Sequence, residues 1–321
     1  MTEDFRDTTD SRNTTAVAFQ PPPFNGTFVW ISLALALALV SGVLVGAKLI
    51  FTRVAQQPVA LTQLPSPLAD SPECASLISS LPDNLAGHRR AKLAEPAPQG
   101  AAAWQTSSTQ RVTLRCGVDA PAQYNEYSIT ENAAGAQWMR IDDSTPGSTL
   151  STWFSVDRLP IVAVTADKES LGSNNPLDEL NVAMLPQQQL PLAPAPLSQL
   201  ASGSGEHCDD FLAALPQHLA EGFERTTAND PQTVVWVAAG REPLVVRCAV
   251  ADPDNYEMGI QLYQVNEVTW FEDTTLANGT TSSTWFALGR ATNIAASLPQ
   301  AEGNEAVTRL SEVIAQTVPL R

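Results

Sequence analysis

The chain is poor in the residues that carry proton chemistry near neutral pH. Histidine, the side chain whose ordinary pKa lies there, occurs three times in 321 residues, at His88, His207 and His218. There is no GxSxG, HExxH, P-loop or SxxK pattern, which removes the sequence signatures of those hydrolase and nucleotide-binding classes. The four cysteines form no CxxC and show no His/Cys spacing of a zinc site. No catalytic residue, metal or cofactor is therefore expected. Acidic pairs exist at Asp142-Asp143, Asp209-Asp210 and Asp252 with Asp254, and neighbouring loop acids are normally solvated. They leave open one alternative, an extracytoplasmic envelope hydrolase using carboxylates that only the fold assembles.

Basic residues are also scarce, 18 Lys and Arg against 34 Asp and Glu. The segment after Arg53 carries the whole excess, with 14 basic and 30 acidic residues. Such a surface repels phosphate backbones, so nucleic acid is not an expected partner.

What the chain does have is a duplication. Cys74, Trp104, Cys116, Trp138, Trp153-Phe154 and Arg158 return as Cys208, Trp236, Cys248, Trp270, Trp285-Phe286 and Arg290. In both copies the first Trp lies 12 residues before the second Cys, and the later Trp residues lie 22 and 37 after it. The Arg lies 42 after it in both. A register this regular marks two tandem modules.

Phe28 to Ala47 is uncharged and almost wholly apolar, and at helical rise this length spans about 30 Å, the hydrocarbon thickness of a bilayer. It is too long for a signal-peptide core and follows an acidic tail, so a single-pass anchor is the reading. Paired cysteines suit an oxidising compartment, which places the C-terminal modules outside the cytoplasm. Gly42 and Gly46 have the small-xxx-small spacing through which transmembrane helices associate.

The expected organisation is a disordered cytoplasmic tail (1–27), a transmembrane helix (28–50) and a Pro-rich juxtamembrane spacer (51–72). Module 1 (73–186), a linker (187–206) and module 2 (207–321) follow. The linker should be extended in its first half, with a flexible joint at Gly203-Ser204-Gly205. Each module reads as α+β, an antiparallel sheet packed with an opening and a closing helix. Cys74, Leu77, Ile78 and Leu81 repeat with helical period, as do Cys208, Phe211, Leu212 and Leu215. Val112, Leu114, Cys116 and Val118 alternate as one face of a strand, matched by Leu244, Val246, Cys248 and Val250. Further strands are expected around Trp138 and Trp270, at 152–156 and 284–288, and at 161–166 and 294–298, with hairpin turns near Arg158 and Arg290. The closing helix is expected over 304–318 and, in shorter form, over 177–185.

Each cysteine thus sits on the apolar side of its element. Pairing Cys74 with Cys116 and Cys208 with Cys248 is the one connectivity that respects the repeat. Adjacent aromatics on a strand point to opposite faces, so one member of each Trp-Phe pair is expected in the core and the other exposed or under a helix. Trp153, Phe154, Arg158, Trp285, Phe286 and Arg290 are the candidate contact surface. The arginines would clamp a ligand carboxylate or phosphate, or cap backbone carbonyls or pair with an internal Asp.

Arg115-Cys116-Gly117-Val118 with Pro121, the Trp138 strand, Trp153 through Pro160, Leu81-Pro82 and Leu310-Ser311 resemble the actinobacterial membrane-anchored or secreted proteins of domain-of-unknown-function family 3515. The resemblance covers both modules. It departs between copies at Gly117, replaced by Ala249, and Asp157, replaced by Gly289. It implies a cell-envelope location and no established activity. The expected function is a non-enzymatic, membrane-anchored binding or assembly module of the envelope, its partner an envelope protein or a cell-wall glycan.

Overall fold

The computed structural model describes residues 26–55, 57–277 and 279–321. The tail expected to be disordered lies outside the described residues, apart from its last two. Helix α1 runs Gly26–Ala55. Its Gly26–Lys48 stretch, 23 residues of mean hydropathy 2.5, is long and apolar enough to cross a membrane.

Residues 53–321 form a separate compact unit that holds both modules. Module 1 comprises α2 (Pro72–Ser80), β1 (Asn84–Leu85), β2 (His88–Ala91), β3 (Ala101–Gln105), β4 (Arg111–Cys116), β5 (Thr130–Ala133), β6 (Ala136–Asp142), β7 (Leu150–Ser155), β8 (Val162–Asp167) and the short α3 (Lys168–Leu171). Module 2 comprises α4 (Cys208–Ala214), β9 (Glu224–Thr226), β10 (Thr233–Val237), β11 (Leu244–Cys248), β12 (Tyr263–Val265), β13 (Val268–Asp273), β14 (Ser282–Leu288), β15 (Ile294–Pro299) and α5 (Gly303–Thr317). The antiparallel sheets have orders β1-β2-β3-β4-β8-β7-β6-β5 and β12-β13-β14-β15-β11-β10-β9. Read from the same end, β3-β4-β8-β7-β6-β5 and β10-β11-β15-β14-β13-β12 are the same path, so the duplication is one of topology as well as of sequence.

Ser71 starts α2, its hydroxyl accepting from the Cys74 amide, with Pro72 in the first turn. Proline suits that place because its missing N–H would have no partner there. Cys74 then bonds to Cys116, and Cys208 to Cys248. Each bridge fastens the opening helix to its strand inside the inner core. The strands at Trp104 and Trp236 were not foreseen from the alternation, because Ala101–Gln105 is buried on both faces and shows no period of two. The two modules share one Trp–Pro contact: Trp104 Nε1 donates to the Pro82 carbonyl at 2.9 Å, and Trp236 Nε1 to the Pro216 carbonyl at 3.0 Å.

Two expectations are corrected. First, 177–185 is not a helix but a run of turns. Asn175 Oδ1 accepts from the Leu177 amide and Asn181 Oδ1 from the Ala183 amide, both at 3.0 Å, and such side-chain bonds compete with helical pairing. Leu177, Leu180, Val182 and Leu185 still fill the inner core. Only module 2 has a true closing helix, α5, whose Ser311 receives the Trp270 indole N–H at 2.9 Å.

Second, Val118 and Val250 leave the face of the preceding strand. Gly117 and Ala249 have φ of +86° and +57°, which ends β4 and β11 and turns the next residue over. Val118 and Val250 therefore pack in the outer-face clusters.

The spacer and the linker both bind the modules. Each is a strap bound across the outer face of the module that follows it. Arg115 donates to the Thr62 carbonyl at 2.6 Å, and the matched Arg247 donates to the carbonyls of Leu197 and Leu200 at 3.0 and 2.8 Å. The Leu68 amide bonds the Gly117 carbonyl, and the Gly203 amide bonds the Ala249 carbonyl. A Cβ on Gly117 would strike the Leu68 backbone, and one on Gly203 would strike the Val250 carbonyl. The close approach thus needs one glycine, supplied by the strand in module 1 and by the strap in module 2. That is why Ala249 is tolerated where Gly117 is not replaceable.

Candidate functional site

Of the six residues named as a candidate contact surface, the four aromatics lie on different faces of the two sheets. Trp153 is 6% exposed and belongs to the inner core of module 1, whereas Phe154 is half-buried on the opposite face. Phe286 is 2% exposed and stacks on Phe271 in the outer core of module 2. Trp285 is half-buried against the inner core, 5.2 Å from the Tyr263 ring. The strand pleat sends neighbours to opposite faces, and in this fold both faces are covered.

The arginines are structural clamps. Arg158 donates to the Gly135 carbonyl and pairs with Asp157 at 3.3 Å. Arg290, 3% exposed, donates to the carbonyls of Glu267 and Val318. Gly135 and Glu267 are themselves matched positions in the β5–β6 and β12–β13 turns. Both arginines lie in the connections β7–β8 and β14–β15, and both donate to backbone carbonyls.

The two modules meet through specific polar contacts. The Asp142 amide donates to the Gly240 carbonyl at 2.7 Å, and Arg140 donates to the Ala239 carbonyl at 3.1 Å. Asn229 Nδ2 donates to Glu126. Tyr127 of module 1 packs against the outer core of module 2. Glu242 accepts from the Thr281 amide and hydroxyl, from Ser282 Oγ and, across the junction, from Gln123 Nε2.

These contacts leave a cleft of about 400 Å³ between the modules, within the usual range of roughly 300–1,000 Å³ for small-molecule sites. One wall is the strap from Ala193 to Leu200, pinned by the Ala193 amide on the Tyr124 carbonyl and by Arg247. The floor is the end of β14 and β15, where Ser282, Thr284 and Ser297 replace the apolar residues found further along the same face. A second recess of about 630 Å³ lies on module 1, lined by Glu131, Arg140, Asp142, Asp143, Trp153 and Lys168 among others. On its rim, bonds from the Ser148 hydroxyl and from the Thr145 amide and hydroxyl hold the Asp143 carboxyl below its ordinary value. Among the described residues, no group of three or more His, Cys, Asp or Glu is placed to hold a metal ion.

The sequence model of a family described as a protein of unknown function, DUF3515, matches residues 33–190 and again 180–321. The chain belongs to the DUF3515 family. No curated protein and no solved structure matches it. The second DUF3515 match begins before the linker, in keeping with a strap that is part of the module it crosses.

Two features of this chain lie outside its local sequence patterns. The pair Thr284–Ser297 sits 132 residues after Thr152–Thr165, a hydroxyl pair that only the repeat register would have picked out. The other is the loop before β12. Tyr256 matches Tyr124 in the repeat, and Tyr124 is 5% exposed under the linker. In the corresponding stretch of module 2, Tyr256, Met258, Ile260, Leu262 and Tyr263 are all exposed.

Proposed function

We propose that this chain is a non-enzymatic, membrane-anchored binding and assembly module of the cell envelope, with its folded part outside the cytoplasm. The reading is supported by an apolar helix of membrane-spanning length and by two disulfides that suit an oxidising compartment. Its partner is an envelope protein that docks on the loop from Tyr256 to Tyr263.

One observation carries this. In module 1 Tyr124 lies under the linker and Tyr127 packs on module 2, while in module 2 five apolar residues of the matching stretch face solvent, Met258 completely. Contiguous exposed apolar residues mark interaction sites, and Tyr and Met are enriched at interfaces. Gly42 and Gly46 lie one turn apart on α1 and offer a second place for close helix packing by the same partner.

The test is in-cell photocrosslinking of the full-length protein with a photoreactive residue at Met258. A discrete adduct is expected, and it should disappear when Tyr256 and Ile260 are changed to Ser in protein that still folds and is exported. Failure to capture any discrete species, or capture unaffected by those changes, removes the loop as the docking surface.

A further inference from the structure

We infer that the cleft between the modules binds an uncharged saccharide of one or two rings, with Thr284 and Ser297 as its hydrogen-bonding floor. This rests on the cleft alone and is independent of the partner proposed for the loop of module 2.

Thr284 and Ser297 face each other across β14 and β15. Their counterparts Thr152 and Thr165 face each other across β7 and β8, and there the two hydroxyls bond one another at 3.0 Å. In module 2 they do not. Thr284 is 6% exposed and Ser297 5% exposed, both line the cleft, and neither hydroxyl has a protein partner among the described residues. Neither hydroxyl oxygen is sealed away from the cleft; the fully buried polar side-chain atoms without a hydrogen-bond partner lie elsewhere. Two hydroxyls side by side and open to the cavity are placed to bond one ligand together.

The chemistry of the walls selects the ligand. Each hydroxyl both donates and accepts, which suits a partner whose own groups do both, as sugar hydroxyls do. Among the described residues no lysine, arginine or histidine lines the cleft, so an anion would meet Glu242 with no cation from them to compensate it. A cation is not called for either. The Glu242 oxygens are already taken by Thr281 at 2.8 and 3.1 Å, by Ser282 at 2.5 Å and by Gln123 at 3.3 Å. Pro194, Pro196, Leu197 and Leu276 also line the cleft and offer C–H surface to the C–H face of a sugar ring. A neutral ring with one polar edge and one apolar face satisfies all of these walls together.

The experiment is saturation-transfer NMR on the full-length protein in lipid nanodiscs, since a maltoside detergent would itself present sugar. The probes are glucose, maltose and diacetylchitobiose, with glucuronate as the anionic comparison. At least one uncharged sugar should receive magnetisation and glucuronate should not. In the Thr284→Val/Ser297→Ala variant the affinity should fall about tenfold or more. The same variant should unfold at an unchanged or higher denaturant concentration, because the hydroxyls it removes have no partner in the protein. The inference is overturned if none of the uncharged sugars binds the unaltered protein, or if the variant binds them equally well. Either result would mean that water alone satisfies the two hydroxyls.

Discussion

The backbone amide of Asp142, at the end of β6, donates to the carbonyl of Gly240 in the β10–β11 turn at 2.7 Å. This bond joins the sheet of module 1 to a turn of module 2. Arg140 braces it, pairing with Asp142 at 3.0 Å and donating to Ala239 at 3.1 Å. Gly240 has φ +79°, and a Cβ there would collide with the Asp142 carboxylate. Replacing Gly240 by Ala should cost about 1–2 kcal/mol from the left-handed backbone alone, and it should also loosen the junction. Urea denaturation measures the first effect. Faster proteolysis within residues 187–206 reports the second.

The disulfides should contribute similarly to the two modules. Their cysteines are 42 and 40 residues apart, and in the chain-entropy model a loop of that length is worth roughly 3–4 kcal/mol. Changing Cys74 and Cys116 together to Ala, or Cys208 and Cys248, should lower stability by that order. Denaturation with and without reductant checks it: each double variant should lose less on reduction than the unaltered protein does.

Arg290 should matter for stability far more than for any ligand. It is buried and holds the carbonyls of Glu267 and Val318, tying the end of α5 to the β12–β13 turn. Bonds from a charged donor are worth about 1.5–3 kcal/mol each, so Arg290→Ala should cost several kcal/mol by urea denaturation. A destabilisation below about 0.5 kcal/mol, the range of neutral surface changes, would refute the clamp.

Asp143 gives a pH prediction. Its carboxyl titrates below the ordinary value of 3.8, chiefly because Ser148 donates to it, with Thr145 adding a backbone and a hydroxyl bond. A lowered folded-state value means that the associated stabilisation is full above the ordinary value and is lost as the pH falls through the folded one. Nothing from this group should change between neutral pH and about pH 5. An NMR titration should find the Asp143 midpoint below that of a free aspartate, and Ser148→Ala should move it upward.

Much of the architecture is legible in the primary structure because it depends on local period and on the repeat. Opening helices, the cysteine strands and the hairpins at Arg158 and Arg290 follow from residues that are near one another in sequence. The helix expected over 177–185 failed because apolar spacing alone does not distinguish a helix from a chain of Asx turns that buries the same leucines. Val118 and Val250 were misplaced because alternation carries no sign of a single residue with positive φ. The strand at Trp104 was missed because burial on both faces erases alternation.

The sequence by itself determined the duplication, the apolar helix, the pairing of the cysteines and the acidic surface, since each is a property of spacing or composition. Only the tertiary structure decided that the straps lie across the sheets, that Trp153, Phe286 and Arg290 are buried, and that a cleft lined by two hydroxyls lies between the modules. Those features depend on contacts between residues far apart in the chain, such as Gln123 with Glu242 and Arg247 with Leu197. Which distant groups meet is set by the packing of two sheets that are each apolar on both faces, and no local pattern records it.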